Sequence, residues 1–445
     1  MRHLYLVGIG GVGMAWIADY ALAQGWQLSG TDVTETDQVR RLRAAGATIH
    51  IGSDPSAIPE GVTDAVVSAA ITEKAPHYPE YLELKRRGIP VVKRAVWVGK
   101  LTRTHTTIAV AGAHGKTTTT GMIGWILDQA GLDPTVFVGS TLAPWGGTRV
   151  GNGEYLVLEA DEFDRSFHQF YPQVAVVLNI DADHLDYYTG GLPEIEASYH
   201  TFLRNLPSGV HATPKGKGLV VAYGKDARIR KVARGFKYTF RWYDERKLWP
   251  GLKLPQPGLH NLLNATAAAR VCHELGVPQE VILKALACFP GTERRFEHWG
   301  TWGNTELYDD YAHHPTELRA LLSGINDRFP RGGKSKVTVV FQPHQKARTR
   351  DHLKAFGRAF DEHPVDRLII APIYHVAGRE DDIEISSADV RDEVMKKVPG
   401  GMEVILAEDV VELERHVRDA VAAGGTLFTV GAGDIRNMVQ RWQRG

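Results

Sequence analysis

The sequence predicts an α/β protein built as three consecutive units, and three observations carry that prediction. Short apolar strands alternate with helical segments along most of the chain, the pattern of parallel layers covered by helices. Two glycine-rich turns, Gly8–Gly13 and Ala111–Thr118, each join a strand to a helix. A breaker, Phe289-Pro290-Gly291, ends the second stretch of alternation before a third begins. The length, 445 residues, suits two to four domains at roughly 100–200 residues each.

The elements follow in order. Leu4–Ile9 is a short apolar run ending in glycines, Val12–Ala23 has helical apolar spacing, and Trp26–Gly30, Ala65–Ser68 and Val91–Lys93 read as further strands. Thr107–Ala111 starts again as a buried strand, followed by the helix Thr117–Ala130 and strands at Tyr155–Glu159 and Val174–Asn179. His211–Gly218 and Trp242–Pro257, rich in Gly, Pro and Lys, read as loops between peripheral strands. The helices Asn261–Leu275 and Gln279–Cys288 come next. Strands at Val337–Phe341, Arg367–Ile370, Met402–Leu406 and Leu427–Val430 then alternate with helices in the third unit. No short fixed-period repeat and no low-complexity tract interrupts the series.

Composition narrows the function. Basic and acidic residues balance at 52 each, so net charge supplies no pull toward nucleic acid or an anionic membrane. The two cysteines, Cys272 and Cys288, lie in apolar helical stretches and read as reduced thiols, not as a disulfide framework. No apolar run reaches the ~20 residues of a membrane span. The first residues read as a strand cut short by glycines, not as a signal peptide. A cytoplasmic protein is expected.

Gly8-Ile9-Gly10-Gly11-Val12-Gly13 matches G-x-G-x-x-G between a strand and a helix, with Asp32 about 20 residues on, near the end of the second strand. Glycines permit a tight turn and close backbone approach, and the helix N-terminus offers free N–H groups to a pyrophosphate. A dinucleotide and a nucleotide sugar both carry that group, and the motif does not choose between them. A nicotinamide-dependent oxidoreductase is therefore one competing expectation.

Ala111–Thr118 ends in Gly115-Lys116-Thr117, the working end of a phosphate-binding loop. Lys116 would reach the terminal phosphates and the Thr117 hydroxyl would hold Mg²⁺. The strict spacing fails because position 110 is Val, leaving Gly112 as the upstream glycine. Glu159-Ala160-Asp161-Glu162-Phe163-Asp164 follows the next strand, and acids so crowded repel one another unless a cation shares the site. A second acidic cluster, Asn179-Ile180-Asp181-Ala182-Asp183-His184-Leu185-Asp186, follows another strand end. In the third unit stand Asp309-Asp310-Tyr311-Ala312-His313-His314-Pro315 and Gln342-Pro343-His344, with Arg348 and Arg350 beyond as anion receivers.

Taken together these motifs resemble the bacterial Mur ligases, and within them the alanine-adding branch. The resemblance runs end to end through Gly8–Gly13, Gly112–Thr119, Glu159–Phe167, Asn179–Asp186, His260–Asn264, Gly291–Phe296, Asp309–Pro315, Phe341–His344 and Gly431–Ile435. It implies a Rossmann-like N-terminal domain, 1–104, that binds UDP-N-acetylmuramate through Gly8, Gly10, Gly11, Gly13, Asp32 and Ser68. It implies a central P-loop-type ATPase domain with a parallel sheet, 105–291, and a C-terminal Rossmann-like α/β domain, 292–445, that closes over ATP and the amino acid. The ATP contacts it implies are Gly112, His114, Gly115, Lys116, Thr117, Thr118, His260, Asn264, Arg295 and Asp310. Two Mg²⁺ ions are implied, with Thr117, Glu159 and His184 as ligands. Lys116, His184, Arg295, His314 and Arg348 are the implied catalytic set. The implied partners are small molecules alone, namely UDP-N-acetylmuramate, L-alanine and ATP, with no nucleic acid and no membrane, on a monomer or homodimer. The implied reaction makes an amide through an acyl phosphate.

The chain departs from the family pattern at Gln345, commonly Arg, at Lys346, usually aromatic, and at Ala69, often Ser. Leu185–Leu203 holds no lysine, whereas other branches carry a CO₂-modified lysine there. A sister branch that attaches a recycled tripeptide to the same nucleotide sugar is the alternative within the family.

Overall fold

The computed structural model describes residues 2–68, 70–185, 187–207, 218–333, 335–375, 383–397 and 401–444. Ala69, Asp186 and residues 211–217 of the expected loop lie outside them. The chain divides into two compact units, Met1–Lys253 with Leu263–Pro290, and Leu254–Leu262 with Gly291–Gly445.

The first unit holds two sheets. One consists of β1 (His3–Val7), β2 (Gln27–Asp32), β3 (Thr48–Ile51), β4 (Asp64–Val67) and β5 (Val91–Lys93), in the order β3-β2-β1-β4-β5 with every pairing parallel. β1 is buried along its whole length, as expected of a strand covered on both faces. The order reverses between β1 and β4, so the crevice where such sheets take ligands opens beside the C-terminal end of β1. The helix Val12–Ala23 follows directly, with Met14, Trp16 and Ile17 packed inward. Its N-cap, Gly11, makes no side-chain cap, which leaves first-turn N–H groups available to a ligand.

The second sheet comprises β6 (Thr106–Ala111), β7 (Thr135–Leu142), β8 (Gly146–Arg149), β9 (Tyr155–Glu159), β10 (Val174–Val177), β11 (Leu219–Tyr223) and β12 (Thr239–Tyr243). Its order is β12-β11-β10-β6-β9-β7-β8, parallel except for the β7–β8 hairpin. β10, β6 and β9 are neighbours, so the loops that leave their C-terminal ends share one edge. Trp242 and Tyr243, expected at the start of a loop, belong to the edge strand β12, where Trp242 stacks on Phe240 at 5.3 Å.

The second unit has one sheet, made of β13 (Glu297–Trp302), β14 (Thr305–Asp310), β15 (Val337–Phe341), β16 (Arg367–Ile370), β17 (Glu403–Leu406) and β18 (Gly425–Val430), ordered β13-β14-β18-β15-β16-β17. Only β13 runs antiparallel to its neighbour. Val339, Phe341, Leu368, Phe428 and Val430 form its core with Leu318 and Phe360 from the covering helices. Among the described residues no helix is long and apolar enough to cross a membrane.

Candidate functional site

The first cradle is built at the end of β1. The N–H groups of Gly8 and Ile9 donate to Thr31 O at 2.8 and 3.0 Å, and the Gly10 N–H donates to Asp32 Oδ2 at 2.8 Å. Asp32 therefore holds the loop's shape. A Cβ at Gly10 would stand 2.9 Å from that carboxylate, so glycine is required there by space. Ser68 lies across the switch point at the end of β4, 3.3 Å from where a Gly8 Cβ would be.

The second cradle is built at the end of β6. Gly112 and Gly115 adopt φ of +147° and +85°, which side chains rarely tolerate. A Cβ on Gly115 would lie 2.8 Å from Asn264 Oδ1. The helix Lys116–Gln129 starts at this point with no side-chain cap, aiming its dipole and free N–H groups at the loop. Asn179, just past β10, clamps the loop from the other side: it accepts from His114 N and donates to His114 O, both at 2.9 Å.

Lys116 is buried at the centre of this edge. Its ammonium donates to Gly112 O at 2.8 Å and Glu162 Oε2 at 2.9 Å, with Asp161 Oδ1 at 3.7 Å. Burial opposes the charge, but Glu162, Asp161 and Glu159 outweigh it and hold the ammonium above its ordinary range. Burial also pushes Glu159 and Glu162 upward despite Lys116, whereas Lys116 and His184 overcome burial at Asp161 and bring it down. The Thr117 hydroxyl donates to Glu159 Oε2 at 3.1 Å, and the Gly139 N–H from β7 donates to Glu159 Oε1.

His184 sits on the same edge in left-handed backbone, φ +54°, fixed by its N–H donating to Asp183 Oδ1 at 2.8 Å and by a ring contact with Phe163 at 5.0 Å. Ligand atoms of Asp161, Glu162 and His184 lie within 4.8 Å of one another, close enough to share one ion. Carboxylate and hydroxyl oxygens with one imidazole suit a hard dication in kind, and Thr117 with Glu159 forms a second oxygen pair. The edge can thus gather phosphate oxygens through N–H groups, an ammonium and bridging dications.

In the second unit, two adjacent arginines divide their work. Arg294 is a structural clasp: Nε donates to Asp309 Oδ2 at 2.8 Å and Nη2 to Gly431 O at 2.7 Å. Arg295 lies over Tyr311 and 3.4 Å from Glu317 Oε1. Burial lowers its affinity for the proton, but Glu317 and Asp310 raise it further, so the guanidinium stays charged. Asp310 accepts from Phe296 N and Ala312 N, each at 2.8 Å, yet burial lifts it to about 6. Burial and the nearby Arg295 depress His260 to about 4. His314 Nδ1 accepts from Thr316 N at 3.3 Å and so caps the helix Pro315–Arg328. Arg348 lies 3.3 Å from His344 Nδ1, and His344 stacks on Tyr374.

Three family models match in succession: Mur ligase family, catalytic domain, over residues 3–106, Mur ligase middle domain over 110–272, and Mur ligase, glutamate ligase domain, over 294–433. The UDP-N-acetylmuramate–L-alanine ligase of Thiobacillus denitrificans is 37% identical to the chain, over 98% of it and 96% of that protein. The chain belongs to the Mur ligase family. A solved UDP-N-acetylmuramate–alanine ligase of Thermotoga maritima matches with a TM-score of 0.78 and 25% identity over the whole of both chains. A murein peptide ligase of Psychrobacter arcticus matches with a TM-score of 0.70 at 22% identity, over all of this chain and 98% of that one, a likeness of fold.

In this Mur ligase Gly112, His114, Gly115, Lys116, Thr117, Thr118, Glu159, His184 and Asn264 lie in the first unit, and His260, Arg295, Asp310, His314 and Arg348 in the second. The sequence singled out neither Gly139 nor Glu317, and it named Glu162 and Asn179 only within the two acidic runs. Glu162 was legible as part of an acidic run. Asn179 and Gly139 act through clamp geometry that no spacing announces.

Proposed function

We propose that the chain is an ATP-dependent ligase that joins L-alanine to the lactyl carboxylate of UDP-N-acetylmuramate, releasing ADP and phosphate. The observation that carries this reading is the buried Lys116 ammonium at an uncapped helix N-terminus, flanked by Glu159, Asp161 and Glu162, in a chain 37% identical to an alanine ligase over nearly its full length.

A carboxylate oxygen attacks the γ-phosphorus, the bond from that phosphorus to the β,γ-bridging oxygen breaks, and ADP leaves an acyl phosphate. The amine of alanine, once deprotonated, attacks the acyl carbon, the carbon–oxygen bond to phosphate breaks, and the amide forms. Lys116 and the N–H groups of the loop offset charge on the transferred phosphoryl group. Two Mg²⁺ ions, one held by Thr117 and Glu159 and one with His184, would supply further neutralisation and orient the phosphates. When its ring nitrogen is free of the ion, His184 is also the candidate acceptor of the amine proton. Gly8, Gly10, Gly11, Gly13, Asp32 and Ser68 hold the UDP portion. His260 and Asn264 contact adenine, and Arg295, Asp310, His314 and Arg348 serve phosphate and amino acid. The division 1–104, 105–291 and 292–445, a cytoplasmic location and a monomer or homodimer complete the proposal.

The test is phosphate release from Mg²⁺-ATP with UDP-N-acetylmuramate and each amino acid in turn. Alanine should support turnover best. Failure with alanine, glycine and serine alongside turnover with a tripeptide would transfer the chain to the sister branch. Reduction of NAD in place of phosphate release would revive the oxidoreductase reading.

A further inference from the structure

Arg94 stands at the end of β5, as the first residue of the helix Arg94–Leu101, on the edge where the first sheet takes its ligand. Its guanidinium lies across Gly13 in the first turn of the helix that follows the glycine loop. A Cβ built on Gly13 would run into Nη1 and stand 3.0 Å from Cδ and Cζ. Gly13 is thus required to make room for an arginine. The other flank of the guanidinium faces Trp16, with Cζ 5.9 Å from the ring centroid. Among the described residues Arg94 has no hydrogen bond and no ion pair, although it is partly buried. Planar guanidinium groups held over glycine turns grip oxyanions well, because the fork matches two oxygens at once. The charge of Arg94 is also felt at Asp161, on the Lys116 edge of the neighbouring sheet.

We infer that Arg94 is a substrate-binding residue that grips an oxyanion of the nucleotide sugar beside Gly13. This inference rests on the proposed function for the identity of that ligand. The ligand offers two oxyanions, its diphosphate and its lactyl carboxylate, and both lie within the chemistry of the fork. A purely structural Arg94 would instead serve as a flat lid on Trp16.

The experiment compares the full-length chain with Arg94→Ala and Arg94→Lys. Arg94→Ala should raise KM for UDP-N-acetylmuramate about 10- to 100-fold while KM for ATP changes by less than about 3-fold. Arg94→Lys should recover part of the loss, since it keeps the charge without the fork. Titration with UDP, which needs no turnover, separates the two oxyanions. A parallel loss of UDP affinity assigns the fork to the diphosphate, and unchanged UDP affinity with weakened UDP-N-acetylmuramate assigns it to the carboxylate. An unchanged KM for UDP-N-acetylmuramate in Arg94→Ala would overturn the inference. So would a lowered melting temperature in both variants with equal losses toward ATP and the nucleotide sugar. Absence of ligation by the unsubstituted chain would strike the proposed function, while the UDP titration would still read Arg94.

Discussion

Removing the Lys116 ammonium isolates the chemistry of the central edge. In Lys116→Ala the side chains of Glu159, Asp161 and Glu162 lose the cation they share. The closest pair, 2.9 Å apart, is worth on the order of 6 kcal/mol at an effective dielectric near ~20, before desolvation takes much of it back. One-sided removal of a buried pair leaves an uncompensated charge and costs about 3–5 kcal/mol. Glu162 escapes part of that cost by protonating, since burial already pushes its carboxyl up and Lys116 is the main group holding it down. A raised carboxyl contributes stability that is present at low pH and lost as pH rises through the folded value. The variant's melting temperature should therefore fall further below that of the unsubstituted chain at pH 8 than at pH 5. Turnover should fall at least about 10²-fold, the usual cost of a lost charge-stabilising donor. The assays are phosphate release and thermal melting across pH. Near-normal turnover, or a stability difference flat with pH, would refute the reasoning.

Gly115→Ala forces a Cβ into left-handed backbone and to 2.8 Å from Asn264 Oδ1. Strain of about 1–2 kcal/mol plus overpacking of about 1–3 kcal/mol should appear as a lower melting temperature and roughly tenfold or greater loss of ATP affinity by calorimetry. Asp310 is raised to about 6 from its ordinary 3.8, which amounts to roughly 3 kcal/mol at about 1.36 kcal/mol per unit, present below the ordinary value and lost as pH rises through about 6. The melting temperature of Asp310→Asn relative to the unsubstituted chain should accordingly climb between pH 4.5 and 7.5, and a constant difference would count against this burial.

Much of the site was legible because the chemistry of phosphate binding is written locally. A strand, a glycine turn, Lys116 and an uncapped helix are consecutive in the chain, and the helix Val12–Ala23 begins and ends where apolar spacing places it. The acidic clusters are just as local, each following a buried strand. The hairpin β7–β8 went unread because Gly139, Gly146, Gly147 and Pro144 break any alternation, yet it brings the Gly139 N–H to Glu159. The His114–Asn179 clamp spans 65 positions and exists only because β6 and β10 are neighbours, an order no periodicity reveals. The role of Arg294 was equally hidden. Adjacent arginines look alike in sequence, and only the fold sends one to Asp309 and the other toward Glu317.

The electrostatic balance of the central edge explains why a cradle of this kind cannot serve ATP by itself. Around Lys116 stand Glu159, Asp161 and Glu162, and the neighbouring strand end adds Asp181 and Asp183. Lys116 is held in its charged form by those carboxylates, so its charge is already largely spent within the protein. A triphosphate entering this edge meets more negative than positive charge, and the loop N–H groups and the helix dipole supply only fractional compensation. On the proposed function Thr117 with Glu159, and Asp161 with Glu162 and His184, would hold hard dications, whose charge would turn the same carboxylates from repulsive to attractive. The orientation of Glu159 is fixed by the Gly139 N–H on one carboxylate oxygen and the Thr117 hydroxyl on the other. On the proposed function the acidic run beside the phosphate loop is half of a metal–phosphate site, and that is the sense in which the carboxylates and Lys116 would belong to one mechanism.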